Sequence, residues 1–440
     1  MNNRDDDYFV RRVAPTKNDE IKRSSPAPTV RDGEIRNAPK STVPVPKNEK
    51  KEELTTSKKV VKALTFDYFG KPSGIDSVFL ILLLMVIAVG TVMSFSASYA
   101  YAEKKYDDSY HFLFEHIKNL LFAFVVFVAM TFAPPEVFKA FTYVVSVVAI
   151  ILLICVLIFG EVRNGAKRWL DLPLLPLFQP SELAKLAIIM IYAMFFAGQR
   201  EKITSEKNGE SFIYGMLYPG LILLVFVGLI YFEHHFSAII IFAGIAFAMM
   251  LVGGTKIRWL ALIIIAGVSA IAVLIFLSGY ASGRVKVFLD PWSDPSGKGW
   301  QTIQGLYAIA SGGIFGVGLG NSIQKFGYVS EPQNDFIFTI VCEELGFVGA
   351  FAVMMLFLAL ILRGFYIAKK APNRYSYYLV MGIMIKLALQ VALNIAVVTK
   401  TLPNTGISLP FFSSGGTQLM LQMIEMGIVL GISRYSHLKK

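Results

Sequence analysis

The chain has 440 residues, 55% of them hydrophobic and only 17% charged, with a mean hydropathy of +0.56, which excludes a soluble globular protein and places it in the membrane class. Its net charge of +11 lies largely in short loops between apolar runs and in the N-terminal region, so topology and anionic headgroups explain it and a nucleic-acid partner is excluded.

Residues 1–75 are rich in Lys, Asp, Glu, Ser, Pro and Thr and read as a disordered cytoplasmic tail, either a solvated tether or a docking segment for a cytoplasmic partner. This region lacks the apolar core and cleavage site of a signal peptide. Residues 76–433 then read as an all-α polytopic membrane domain. Ten runs approach the ~20 apolar residues a membrane helix needs: near 77–101, 112–133, 141–160, 182–197, 212–231, 236–252, 259–278, 336–362, 376–399 and 416–433. The positive-inside rule puts both termini, including the short tail 434–440, in the cytoplasm, and it puts the loops 161–181, 279–335 and 400–415 outside. The largest of these, 279–335, joins spans seven and eight. Cys155 and Cys342 lie far apart in or beside apolar spans, a pattern that implies neither a disulfide framework nor a metal cage.

In the first long outer loop, Lys167, Arg168 and Trp169 form a cation–cation–aromatic cluster. It suits a pyrophosphate with a sugar or lipid beside it, or ordinary interfacial anchoring. Pro180, Ser181 and Glu182 read as a helix start. Glu182 and Lys185, three residues apart, share a face inside an apolar span, either as a functional pair or as a mutually neutralised structural one. Glu233, His234 and His235 occupy a very short outer turn suited to headgroup or substrate contact. In 279–335, Asp290 and Asp294 each precede proline, which keeps them out of helical backbone; acid/base chemistry and turn formation are both open. The glycine-rich stretch 312–320 suits a re-entrant or interfacial piece, and without a surrounding strand it is not a dinucleotide fingerprint. Glu343 and Glu344 are placed to neutralise Lys386 or to brace the loop. Lys386, Gln390 and Asn394 recur every four residues on a face that must point into the bundle. Ser413, Gly415 and Gly416 precede the last span, where they allow close backbone approach or a half-helix start that offers amides to an anion.

In order and spacing, NGAKRW…FQPSELAK, FLDPWSDPSGKGWQ…AIASGG…GVGLGNSIQK…DFIF…EELG and LPFFSSGG resemble the shape, elongation, division and sporulation (SEDS) family over about 75–433. GLGNSIQK and the closing ISRY resemble its division and sporulation branch more than its elongation branch. The resemblance implies ten membrane helices and a peptidoglycan glycosyltransferase that polymerises lipid II on the outer face of the cytoplasmic membrane, at the division septum. It implies inverting transfer, with release of undecaprenyl pyrophosphate from the linked glycan. The essential carboxylate of the W-x-D-P motif maps to Asp294, with Asp290 as the weaker candidate. Lys167, Arg168, Trp169, Glu182, Lys185, Ser413, Gly415 and Gly416 are then candidate substrate contacts, and Glu331, Asp335, Glu344 and Lys386 are secondary candidates. The implied partners are a class B penicillin-binding protein and other division proteins. No cofactor is required by the sequence, and a divalent cation at the pyrophosphate is left open. This chain departs from the family at Val329-Ser330-Glu331, at Ser413 to Gln418, at Ile117 and at Lys400. The competing readings are a lipid II flippase and a non-catalytic division scaffold.

Overall fold

The computed structural model describes residues 74–163, 166–171, 177–277, 286–297, 299–413 and 415–436. Residues 1–73 of the expected tail, 278–285 of the large loop and 437–440 of the C-terminal tail lie outside them. The helices in chain order are α1 (Ser77–Tyr106), α2 (His111–Phe132), α3 (Pro135–Phe159), α4 (Pro180–Ile203), α5 (Asn208–Phe232), α6 (Phe236–Gly253), α7 (Ile257–Leu277), α8 (Trp300–Gly312), α9 (Ile337–Lys369), α10 (Arg374–Val398) and α11 (Gly416–Ser433). Among the described residues nine helices are long and apolar enough to cross a membrane, all of these except α7 and α8. The span expected near 259–278 is α7, whose segment Ile257–Gly267 is a shorter apolar helix.

Burial sorts the helices into a centre and a rim. The most apolar stretches of α4, α10 and α11 are 67%, 61% and 78% buried, against 17% for α2 and 22% for α5. The outward faces carry exposed side chains such as Val125, Phe159 and Leu224, as expected where lipid is the solvent. Small residues set the close contacts. On α11, a side chain added at Gly427 would meet the Phe127 carbonyl of α2 at 2.7 Å, and one at Gly431 would meet the Met130 carbonyl at 2.9 Å. This is the small-xxx-small spacing that lets membrane helices approach.

Sequence punctuation explains the element ends. Asp76 caps α1, accepting the Phe79 amide at 2.8 Å, and the Arg363 guanidinium of α9 grips the same carboxylate at 2.7 and 3.0 Å. Proline at the first helical position starts α3 and α4, where its missing amide costs nothing. Inside α5, Pro219 has no amide to donate to the Gly215 carbonyl four residues earlier. The Thr255 hydroxyl donates to that carbonyl at 3.1 Å, and the turn Ile213–Leu217 widens to a π-helix.

α9 is broken at Gly346, whose φ of 67° and ψ of −170° interrupt the helical run. The break would strand backbone groups in an apolar setting, and the glycine-rich stretch after α8 satisfies them. The Glu343 and Glu344 carbonyls accept the amides of Val317 and Gly318, both at 3.0 Å, while the Phe347 and Val348 amides donate to the carbonyls of Gly313 and Ile314 at 2.9 and 3.1 Å. The glycine-rich stretch and the break in α9 thus satisfy each other's backbone groups, the condition under which non-helical backbone is tolerated among membrane helices. An element the sequence reading did not include is a small antiparallel hairpin, β1 (Glu161–Arg163) and β2 (Ala166–Trp169).

Candidate active site

Two ion pairs sit at the centre of the bundle. Lys185 donates to Glu182 at 2.6 Å within α4, and Lys386 of α10 donates to Glu425 of α11 at 2.6 Å. All four side chains are buried, and each pair feels the charges of the other. Formally the quartet is neutral, the condition under which charges persist in an apolar interior. The expected Glu182–Lys185 pair forms. Lys386, however, is neutralised by Glu425, and neither Glu343 nor Glu344 reaches it. We expect Glu425→Leu, which leaves the Lys386 ammonium buried alone, to destabilise by about 3–5 kcal/mol, and Lys386→Met with Glu425→Leu to recover most of that loss. Thermal unfolding in detergent checks this; equal melting of single and double variants would contradict the pairing.

A polar cavity of about 50 Å³ adjoins the first pair, lined by Gln179, Glu182, Lys185, His235, Gln390 and Gln418 together with Gly406, Ile407 and Ser408. One Glu182 oxygen, Oε2, is buried without a hydrogen-bond partner, so the cavity can receive a hydroxyl or amide donor. Lys386, Gln390 and Asn394 are all buried, as their spacing requires. Asn394 donates to the carbonyls of Asp335 and Ile407 at 2.8 and 2.7 Å, which fixes the 401–413 loop against the cavity.

The Glu233–His235 turn is not a headgroup surface as a whole, because only His234 is exposed. Arg168 donates to the His234 carbonyl at 2.6 Å. The β1–β2 register shifts between Glu161 and Val162, leaving Arg168 as the extra residue between Lys167 and Trp169, and Lys167 is exposed. Of the three, Arg168 is the one that contacts the α5–α6 turn. Burial holds the His235 imidazole well below its usual range and hence uncharged. Glu233 is 1% exposed and neither carboxylate oxygen has a hydrogen-bond partner. Burial pushes its carboxyl up to about 8, with Arg168 opposing. Between the unfolded value of about 4.3 and the folded one, the native state holds a proton the unfolded chain has lost, so stability is greatest below that window and falls as pH rises through it. Glu233→Gln should remove this downward slope in melting temperature; parallel profiles for the two proteins would refute it.

The W-x-D-P segment precedes α8, whose first turn contacts the 401–413 loop. Asp290 fills the turn role, accepting the Trp292 amide at 3.0 Å and the Ser293 hydroxyl on its carbonyl at 2.6 Å. Asp294 follows the short 3₁₀ turn Pro291–Ser293 and is exposed. Its carboxylate lies over Gly297, where an added side-chain carbon would sit 2.5 Å from both oxygens. Its carbonyl accepts the Gly297 and Gly299 amides at 3.3 and 3.1 Å. Gln301, at the start of α8, accepts from Asn404 at 3.1 Å, two residues before Gly406 of the cavity wall.

The remaining candidates have structural contacts. Glu331 accepts Asn334 Nδ2 at 2.9 Å within its own turn. The Asp335 carboxylate packs near Gly406. Ser413 donates to the Asn334 carbonyl at 2.8 Å, and α11 starts at Gly416 with Gly415 as its cap. Glu343 and Glu344 take the bracing role: Glu343 accepts the Ser322 hydroxyl at 2.5 Å and the Ile323 amide at 2.9 Å, and Glu344 accepts Lys325 at 2.7 Å and the Ser96 hydroxyl at 2.6 Å. Sequence reasoning passed over Glu425, Lys325, Gln179 and Gln418. Glu425 had a signal, a lone carboxylate inside an apolar span.

These features define a multi-pass helical membrane protein with a neutralised ionic centre, a polar cavity beside it and an exposed carboxylate in the loop before α8. The cell cycle protein model of FtsW, RodA and SpoVE matches residues 76–438. The chain belongs to this family, the SEDS family its motifs resemble. It is 38% identical over 371 residues to the stage V sporulation protein E of Bacillus subtilis (strain 168), covering 83% of this chain and 99% of that protein. It is 34% identical over 365 residues to the probable peptidoglycan glycosyltransferase FtsW of Geobacter sp. (strain M18), covering 82% and 97%. A solved structure on the coordination of polymerization and crosslinking by a peptidoglycan synthase complex matches with a TM-score of 0.69 at 26% identity, covering 83% of this chain and 99% of that one. The rod shape determining protein RodA of Thermus thermophilus shares the fold, with a TM-score of 0.61 at 24% identity over 83% and 98% of the two chains.

Proposed function

We propose that this chain is a peptidoglycan glycosyltransferase that polymerises lipid II into glycan strands during cell division or sporulation. The observation that carries the reading is the exposed Asp294 carboxylate, set over Gly297 in the family's W-x-D-P motif, on a segment joined through Gln301 and Asn404 to the loop that walls the polar cavity. Asp294 takes the proton from the GlcNAc 4-hydroxyl of one lipid II as that oxygen attacks the MurNAc anomeric carbon at the reducing end of the growing strand. The new β bond forms as the α-linked carbon–oxygen bond breaks, and the electron pair leaves on undecaprenyl pyrophosphate. Arg168, Lys167 and Lys185 stabilise that departing charge. Lys185 shares its ammonium with Glu182, and Arg168 also holds the His234 carbonyl. Trp169 positions sugar or lipid.

In this reading ten spans place both termini in the cytoplasm and Asp294 outside. A class B penicillin-binding protein cross-links the product within a division assembly, in keeping with the synthase-complex structure that the fold resembles. The buried Glu182, Lys185 and Lys386 also suit a headgroup path, so a lipid II flippase is the second reading. Purified full-length protein given lipid II, with and without its transpeptidase, separates the two. Long glycan supports polymerisation, and lipid movement without polymer supports transport.

A further inference from the structure

At the end of the bundle away from Asp294, a second cavity of about 340 Å³ opens where the last turns of α4 and α9 meet the start of α10. Arg200, Lys369, Asn373, Arg374 and Tyr377 line it, and no carboxylate does. None of its three cations is in an ion pair with an acid among the described residues, and Arg200 has only a long 3.5 Å bond to the Tyr378 hydroxyl. Helix electrostatics account for two of these charges, since Arg200 and Lys369 sit by the negative ends of α4 and α9. They do not account for Arg374, a cation in the first turn of α10, where the positive helix end opposes it. Asn373 caps the Ser376 amide at 2.8 Å, and the amides of Arg374 and Tyr375 have no carbonyl within the helix to reach. Three unpaired cations and a helix N-terminus thus converge on one cavity, at the low end of the ~300–1,000 Å³ typical of ligand sites.

We propose that this cavity binds a phosphate-bearing anion, supplied either by the headgroup of an anionic phospholipid or by soluble phosphate. Arginine suits the planar, two-pronged recognition of phosphate oxygens. The helix ends that frame the cavity lie where basic pockets between membrane helices meet lipid headgroups. The inference rests on membrane embedding and not on the glycosyltransferase reading.

The test uses full-length protein in phosphatidylcholine nanodiscs, with phosphatidylglycerol mixed in or inorganic phosphate added, and follows thermal unfolding. The expected result is a saturable rise in the wild-type midpoint. The affinity behind it should fall roughly fivefold for Arg374→Gln alone and about a hundredfold when Arg200→Gln and Lys369→Gln are added. The charge-keeping set Arg200→Lys, Lys369→Arg and Arg374→Lys should bind more weakly than wild type, because lysine gives up the two-pronged contact, but well above the neutralised set, which separates lost binding from lost folding. A shift with phosphatidylglycerol alone assigns the site to lipid, and a shift with inorganic phosphate assigns it to the soluble ion. If the neutralised variants respond as wild type does, or if neither probe shifts the wild type, the proposal is wrong.

Discussion

Asp294→Asn is expected to reduce glycan synthesis from lipid II by about a hundred- to ten-thousandfold, the usual contribution of a general base, while thermal stability changes by about 0.5 kcal/mol or less, as for other exposed substitutions. The amide matches the carboxylate in size over Gly297 but cannot take up the hydroxyl proton. Asp294→Glu should recover little, because the longer side chain no longer fits the space that Gly297 leaves open. Asp290→Asn should retain most of the activity, since an amide oxygen can still accept the Trp292 amide. Product length on gels, with the transpeptidase partner present, reads all three. Wild-type glycan yield from folded Asp294→Asn would remove Asp294 from the chemistry.

Gly346→Ala should be severely damaging. A side-chain carbon there would lie 2.2 Å from the Gly316 amide nitrogen and 2.6 Å from the Ile314 carbonyl oxygen, in a backbone conformation with φ of 67°. Strain and overpacking together cost roughly 3 kcal/mol or more, and forcing the glycine-rich stretch away would also strand the amides and carbonyls that it shares with α9. Gly316→Ala meets the Glu344 carbonyl at 2.2 Å and should behave alike, whereas Gly313→Ala and Gly320→Ala meet nothing within 4 Å and should cost only their backbone strain. Yield of monodisperse protein and melting temperature rank the four. Equal behaviour of Gly346→Ala and Gly320→Ala would show that the interlocked backbone is not what holds this region.

Much of this architecture is legible in the sequence because lipid imposes simple rules. Apolar runs give the spans, Pro180 gives the start of α4, and the four-residue spacing of Lys386, Gln390 and Asn394 gives a face that the structure buries. Pairing between spans is not local, so the sequence could not choose between Glu343, Glu344 and the overlooked Glu425 as the partner of Lys386. The same limit hid the contact between Arg168 and the His234 carbonyl, 66 residues away in sequence. The hairpin had a local signal in the sequence, since Asn-Gly is a common two-residue turn dipeptide. The family resemblance located Asp294; its surroundings alone left both turn formation and catalysis open, and Asp290 fills the turn role.

Electroneutrality at the bundle centre bears on selectivity. Under the proposed reading, an incoming diphosphate meets no net attractive field from Glu182, Lys185, Lys386 and Glu425, and must compete with a carboxylate for the Lys185 ammonium. Small free anions have nothing with which to offset the desolvation that this competition demands. A ligand whose long hydrocarbon tail is already dissolved in the bilayer arrives with that anchoring in place, so the arrangement favours lipid-borne diphosphates over their water-soluble counterparts.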